Sequence, residues 1–522
     1  MDNKKIEISE NENKFIAIFK YKGLTGIYYR TFPLPEELVL EDLQLSSRLK
    51  SKGKSLGERL IEKSNSITNS YLENIIDGDK IKLDSLFKET NKVREVRNTL
   101  YQITANLGHR NVSEQANFMV SLSLPILAAL VIQDEKFLAS QERSTRYVEF
   151  NEYYLPENSD NSLTLSYNLI SSLYDKTFSY FINEKIESFK ISQGREPSKE
   201  EIETVIIPTV RDLVRGFIGL GAMTTLVLNL NGRTAENIAR KLLSNENYYV
   251  REVGNLFTEI VNYAVPSLSA HLLPDDFSRK VLSERISFND DYIDSKPKFS
   301  KFEDVEVKIL AGSQSEEQII ESIYSQLPSS LKKEGVISYL KNISKERKGK
   351  FDEYNDGILR NSFVQFQITS SLGSARDLWR HRLAEKNIEV FTNHYFIPKE
   401  IYDNKDLFEE VNYKFSELND YYKKLLKEKS SLSRLIIPLA VESKLTMSMS
   451  LAEAIFIIEN RSTSEGHPEY KQIAMKMYEE LNRKYPNLMN SLKIFIGNSG
   501  ASSSEYSRTY KPNTSFANEH LF

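Results

Sequence analysis

The sequence predicts an α+β fold made of two similar domains in tandem, with strands of each half packed under long helices. Three observations predict it. A chain of 522 residues is too long for one ordinary hydrophobic core. Two stretches, "NFMVSLSLPILAALVIQDEKFLASQERSTRY" and "SFVQFQITSSLGSARDLWRHRLAEKNIEVF", open on the same apolar alternation and continue in the same order. Further along each half, residues 214–243 align without a gap on residues 433–462.

The elements follow in order. Phe118, Val120, Leu122 and Leu124 share one side of a first strand, and Val364, Phe366 and Ile368 one side of its repeat. Period two is the mark of a half-buried strand. Each strand leads into a short helical stretch and then a polar segment. In the second alignment Arg215 meets Arg434 and Leu242 meets Arg461, and long amphipathic helices are expected at about 235–263 and 452–484. A helix at 405–428 is expected from its 3.6-residue periodicity and lysine-rich end. The halves are placed at 1–290 and 300–495. The charged, proline-containing "FNDDYIDSKPKFSKFED" reads as a linker, and the Ser/Gly/Asn-rich tail, 496–522, as poorly ordered.

Composition narrows the function. The formal net charge of -4 and pI of about 6.1 argue against a nucleic-acid or membrane-surface binder. Any anion must then be held by a local group of cations. There is no cysteine, which removes thiolate nucleophiles and thiolate metal sites, and the six histidines show no paired metal-ligand spacing. No metal is expected. The polar N-terminus has no apolar signal region, and the most apolar run, "LPILAALVI", is far below the ~20 residues that span a bilayer. A soluble, cytoplasmic protein is expected.

The local cation group is "RDLWRHRLAEKN", residues 376–387, which holds the only tryptophan. One reading is a solvated helix face, with Arg376 and Arg380 one turn apart and Glu385 as a local partner. The other is a grip on phosphate, since guanidinium forks bind it bidentately. Trp379 reads as a core anchor. In the first half the positions of Arg380, His381 and Arg382 are taken by Asp134, Glu135 and Lys136, which cannot hold phosphate. Seven residues separate Lys136 from Ser144 in "QERSTRY", whereas the same gap after Arg382 ends at Val390. One half has the basic triplet and the other has the polar loop.

Arg-His-Arg, seven residues, then Ser resembles the signature of the flavin-dependent thymidylate synthases, the ThyX family. "ERSTRY" resembles the family's substrate loop, "GHRNVSEQ" its flavin-contacting segment, "SRLIIPL" its Ala-Arg helix start and "NRSTSEGHPEYKQIA" its late arginine-then-histidine helix. The resemblance implies two domains of this family in tandem, each an antiparallel sheet packed with long helices. It also implies conversion of dUMP to dTMP, with FAD as cofactor, and NADPH and methylenetetrahydrofolate as co-substrates. By the same resemblance dUMP falls to Glu142, Ser144, Arg146 and Arg215 from the first half and Arg380 and Arg461 from the second. FAD falls to Asn111, Glu114, Asn231, Arg233 and Asn237 from the first half and to Arg380, His381, Arg382 and His467 from the second. The flavin positions Asn231, Arg233 and Asn237 become Ser450, Ala452 and Phe456 in the second half. Each half would thus keep what the other has lost, in a site shared by both. A homodimer mimicking the family's four-domain tetramer is implied, with nucleotide and folate small molecules as partners.

The missing cysteine fits that chemistry, because the unrelated thymidylate synthases attack the uracil ring with a thiolate. No residue is assigned as a catalytic nucleophile, and Ser144 reads as a binder of phosphate or base. Two departures stand out. Asp377 takes the place of the family's glutamine, and His467 lies farther from Arg461 than the family's late histidine does from its arginine. They keep two alternatives open: a related flavoprotein acting on another nucleotide, or a non-catalytic nucleotide-binding scaffold.

Overall fold

The computed structural model describes residues 6–10, 16–29, 76–77, 80–81, 110–156, 159, 161–266, 271–350, 352–354, 357–428, 431–463 and 466–497. "GHR" up to His109, the tail beyond Gly497 and most of the first hundred residues lie outside them. The chain divides into two compact units. Unit 1 comprises Met1–Ser171, Gly219–Glu284 and Asp420–Ile437; unit 2 comprises Ser172–Ile218, Arg285–Asn419 and Pro438–Phe522.

Unit 1 is built on a six-stranded sheet. Its strands are β1 (Glu7–Glu10), β2 (Ile16–Tyr21), β3 (Leu24–Tyr29), β4 (Asn117–Pro125), β5 (Ala139–Glu142) and β6 (Met223–Asn231), in the order β1-β2-β3-β4-β6-β5. All neighbours are antiparallel. Phe118, Val120, Leu122 and Leu124 of β4 are buried, as their alternation predicts. The apolar run after β4 is helix α1 (Ile126–Gln133), buried at every residue. Two further helices, α2 (Gly232–Leu243) and α3 (Tyr248–Ala264), follow β6. The helix α3 approaches β3 so closely that a Cβ on Gly26 would lie 2.3 Å from Ile260 Cδ1.

Unit 2 repeats this plan. Its strands are β7 (Ile286–Asn289), β8 (Lys298–Lys301), β9 (Glu306–Ile309), β10 (Val364–Ser371), β11 (Glu385–Ile397) and β12 (Val441–Met449). The order is β8-β11-β12-β10-β9, with β7 also on β11. The triplet β10-β12-β11 matches β4-β6-β5 of unit 1. Helix α4 (Leu372–Trp379) follows β10 as α1 follows β4, while α5 (Leu451–Arg461) and α6 (Pro468–Lys484) match α2 and α3. Val364, Phe366 and Ile368 are fully buried.

Two expectations need correction. Each long late helix is a pair of helices. The apolar period runs on through the break, but Asn247 starts α3, and His467 with Pro468 at the first helical position starts α6. The charged stretch between the halves is also more than a linker, since β7 and β8 add to the unit 2 sheet parallel to β11. They pair on either side of an irregularity between Phe391 and Tyr395. There Asn393 adopts φ 70, and its Nδ2 donates to Tyr292 O at 3.1 Å and Ser295 O at 2.8 Å. The bulge therefore fastens the β7–β8 connection. The expected 405–428 helix is present at Lys405–Lys427.

The units are not the two halves of the sequence. Residues 172–218 of the first half belong to unit 2, and residues 420–437 of the second belong to unit 1. The Arg215 turn (Arg215–Phe217) therefore builds onto unit 2, where Ala440 N–H donates to Gly216 O and Leu439 N–H to Ile218 O, both at 2.8 Å. Its repeat, the Arg434 turn (Ser431–Ile436), builds onto unit 1, where Gly221 N–H donates to Leu435 O at 2.7 Å.

Candidate functional site: an arginine cluster around Asp377

The sequence RDLWRHRLAEKN is not a solvated face. Arg376, Asp377 and Trp379 of α4 are buried, as is His381 just beyond it. Ser371 caps the helix by accepting the Ser374 N–H at 3.1 Å. At the other end Lys386 Nζ donates to the carbonyls of Trp379 at 2.7 Å and His381 at 2.9 Å, and lies 5.4 Å from the indole centroid. A buried lysine thus satisfies the helix C-terminus. Trp379 is the core anchor its apolar ring suggested. Glu385 pairs with Arg285 at 2.8 Å, so the expected local partner turns elsewhere.

Three arginines converge on Asp377. Arg215 Nη1 donates to Oδ2 at 2.7 Å, Arg380 Nη2 to Oδ1 at 2.6 Å, and Arg461 Nη2 to the backbone oxygen at 3.0 Å. Burial opposes the charge on Asp377, but Arg215, Arg380, Arg461 and Arg376 outweigh it and hold the carboxyl far below the usual carboxylate range. Arg461 Nε donates to His381 Nε2 at 3.1 Å, which leaves the His381 proton on Nδ1, facing Glu453 Oε1 at 3.5 Å. Burial, then Arg461, Lys386 and Arg380, push the His381 pKa well below its ordinary value. His381 is therefore a neutral acceptor for Arg461 and no source of positive charge. Burial also lowers the Arg461 pKa, with Asp377 opposing, and the guanidinium lies 5.3 Å from the Tyr470 ring.

A carboxylate underlies the cluster. Glu469 accepts Ser371 N–H at 2.6 Å, Ser371 Oγ at 2.5 Å and Ser374 Oγ at 2.7 Å. Burial raises its pKa, and these hydrogen bonds and the Arg215 charge work against that rise. His467 donates from Nε2 to Asp212 O at 2.8 Å and accepts the Glu469 N–H on Nδ1 at 3.2 Å. Both of its ring nitrogens are committed to holding α6 in place. Arg382 lies exposed past the turn.

The remaining assigned residues lie in unit 1. Glu142 is buried and accepts from Gln133 Nε2 at 3.0 Å and Thr224 Oγ1 at 3.1 Å. Ser144 and Arg146 are half-buried in the following loop, where Ser144 Oγ accepts the Arg146 N–H at 3.2 Å. Asn231 caps α2 by accepting the Thr234 N–H at 2.8 Å, and Ser450 does the same for α5. This shared capping role accounts for both residue types at that position. Arg233 and Glu114 form an exposed ion pair, and Asn237 accepts from Arg240 at 2.8 Å. Asn111 lies on the 110–115 turn, its side chain outside the described residues. The positions matching the basic triplet are neutralised differently here. Lys241 reaches both Asp134 and Glu135 at 3.1 Å, and Leu242, at the Arg461 position, is fully buried.

Sequence reasoning missed Glu469, Ser374, Asp212 and Glu453. Nothing in their local sequence marks them, because each acts through a partner from a different element. The structure joins Arg215 with Arg380, His381 and Arg461 in unit 2, while Glu142, Ser144 and Arg146 belong to unit 1. Among the described residues no helix is long and apolar enough to cross a membrane.

The structure thus joins a repeated sheet-and-helix unit to a buried arginine cluster, and comparison with known proteins gives its family. The family model described as "Thymidylate synthase complementing protein" matches residues 59–267 and 307–487. The chain belongs to this family, the ThyX family, in a tandem two-domain form. A "UPF0159 protein" of Chlamydia muridarum is 23% identical over 432 residues, covering 75% of this chain and 80% of that protein. Another, from Thermoplasma acidophilum, is 22% identical over 448 residues, covering 75% and 85%. Among solved structures, the UMP/dUMP methylase PolB from Streptomyces cacaoi bound with 5-Br UMP aligns with TM-score 0.30 and 14% identity, covering 38% of this chain and 96% of that one.

Proposed function

We propose that the chain is an FAD-dependent thymidylate synthase that methylates dUMP to dTMP, with methylenetetrahydrofolate as carbon source and NADPH as reductant. The observation that carries this reading is the gathering of Arg215, from the first half of the sequence, with Arg380 and Arg461, from the second, in one unit. These are the arginines that the family resemblance gives to the nucleotide, and decay of both halves would not preserve them together.

The residues present fit a flavin in part. Arg233, exposed on the first turn of α2, has the charge and placement to take an anionic group at a helix N-terminus. Glu114, Arg380 and Arg382 of the assigned flavin set are exposed as well. Asn231 and His467 are engaged in capping and His381 in accepting from Arg461, so these three support the site by fixing its frame. A bound flavin supplies the redox chemistry that the side chains lack. The protein's part is orientation and electrostatics. Arg215, Arg380 and Arg461 orient the nucleotide, with Arg380 on its phosphate, and by the family resemblance Ser144 and Arg146 add to its binding.

The test is rescue of a thymidine-requiring strain, alongside the flavin content of the purified protein. Rescue by the wild-type chain, lost in Arg380→Ala and in Ser144→Ala, is the expected result. Colourless protein that takes up no FAD, or full rescue by both variants, refutes the reading. A second reading, a related flavoprotein acting on a different nucleotide, is favoured by Asp377, whose carboxylate meets Arg215 and Arg380 directly. Flavin-dependent NADPH oxidation with no dUMP-dependent product would select it.

A further inference from the structure

The arginine cluster already contains an anion. Asp377 presents its two oxygens to two different guanidinium groups and its carbonyl to a third. A carboxylate offers a guanidinium fork much the same pair of acceptors as two phosphate oxygens do. Asp377 thus occupies hydrogen-bonding capacity that Arg215 and Arg380 would otherwise offer a phosphate.

The two bonds to the Asp377 side chain are unequal. The pair with Arg215 is buried, with side-chain exposures of 9% and 11%, and breaking it would strand a charge out of water. The pair with Arg380 joins residues three apart in sequence, and the Arg380 side chain is 40% exposed. Water can receive that guanidinium when it turns away, so this bond gives way first.

We propose that Asp377 is a resident counter-ion that competes with ligand phosphate for Arg380. On this view Arg215 stays on Asp377, and Arg380 is the fork that passes between the carboxylate and the ligand. Asp377 thereby sets how tightly the site takes a phosphate monoester. This rests on the reading of the cluster as the nucleotide site, but its test needs no turnover.

The experiment measures inorganic phosphate binding by calorimetry to the full chain, at fixed ionic strength, in wild type, Asp377→Asn and Asp377→Glu. Asp377→Asn keeps the shape and removes the charge, and should bind phosphate at least about tenfold more tightly. Asp377→Glu keeps the charge and should stay within about threefold of wild type. Equal affinity in all three overturns the proposal, as does equal tightening in Asn and Glu, which would indicate simple disruption. Should Asp377→Asn fail to fold, the wild-type chain decides. With Arg380 occupied from within, dUMP should bind less than about tenfold more tightly than deoxyuridine, and a preference above about a hundredfold refutes the resident counter-ion. A chain that fails thymidine rescue yet shows the Asp377 effect would lose the enzyme reading and keep this one.

Discussion

Replacing Arg215 by methionine removes a guanidinium while keeping most of the stem volume. In the folded protein it leaves Asp377 buried without its closest buried partner. Removing one member of a buried ion pair costs about 3–5 kcal/mol. Arg380 still donates to the other oxygen at 2.6 Å, which places the expected loss at the lower end, about 3 kcal/mol. The double variant Arg215→Met with Asp377→Leu removes the stranded charge and should recover about 2 kcal/mol of that loss. Trp379, the only tryptophan, is 1% exposed two residues from Asp377, so its fluorescence during urea denaturation reports on unit 2 directly. A single-variant loss under about 1 kcal/mol, or a double variant no more stable than the single, would refute the claim that this pair organises the cluster.

Three further outcomes are expected. The folded-state pKa of His381 is held below that of the free residue, as is that of His394 through burial and Lys298, so the unfolded chain takes up these protons first. Their contribution to the stability of unit 2 is complete above about pH 6.5 and is lost as the pH falls below it. His381→Asn should lower the slope of stability against pH in that window by about one proton, and an unchanged slope counts against the neutral assignment. Lys241→Met strips the shared cation from Asp134 and Glu135 and should cost about 2 kcal/mol by thermal unfolding, whereas a neutral effect would mean the acids are held by other partners. Asn393→Ala should destabilise more than Asn393→Gly by about 1 kcal/mol in chemical denaturation, because glycine tolerates φ 70 and both lose the bonds to Tyr292 and Ser295.

The repeat was readable because alternation and helical period are local properties. Phe118 to Leu124 and Val364 to Ile368 declare their buried side with no knowledge of the partner strand. Trp379 declares itself as an anchor in the same way. The helix breaks at Asn247 and at His467–Pro468 were also written in the residues, but a continuous apolar period concealed them. Other features are not local. The strands β7 and β8 are only four residues each, and become strands because β11 offers them an edge on each side of Asn393. The identity of the arginines was legible and their company was not. Asp377 looked like a misfit beside a phosphate site, and only the distances reveal that Arg215 and Arg380 already hold it.

The exchange of segments between units has a consequence for synthesis on the ribosome. Unit 1 includes Asp420–Ile437, so it cannot be completed when the first half of the chain emerges. Until translation passes that point, β4 and β6 have their sheet partners, but Gly221 lacks the carbonyl of Leu435. Residues 172–218 wait in turn for strands that have not yet been made. A gene cut between residues 290 and 300 would therefore encode two fragments, each carrying a piece of the other's unit and missing a piece of its own. The duplication can no longer be undone by simple division, and the two halves are inherited as one object.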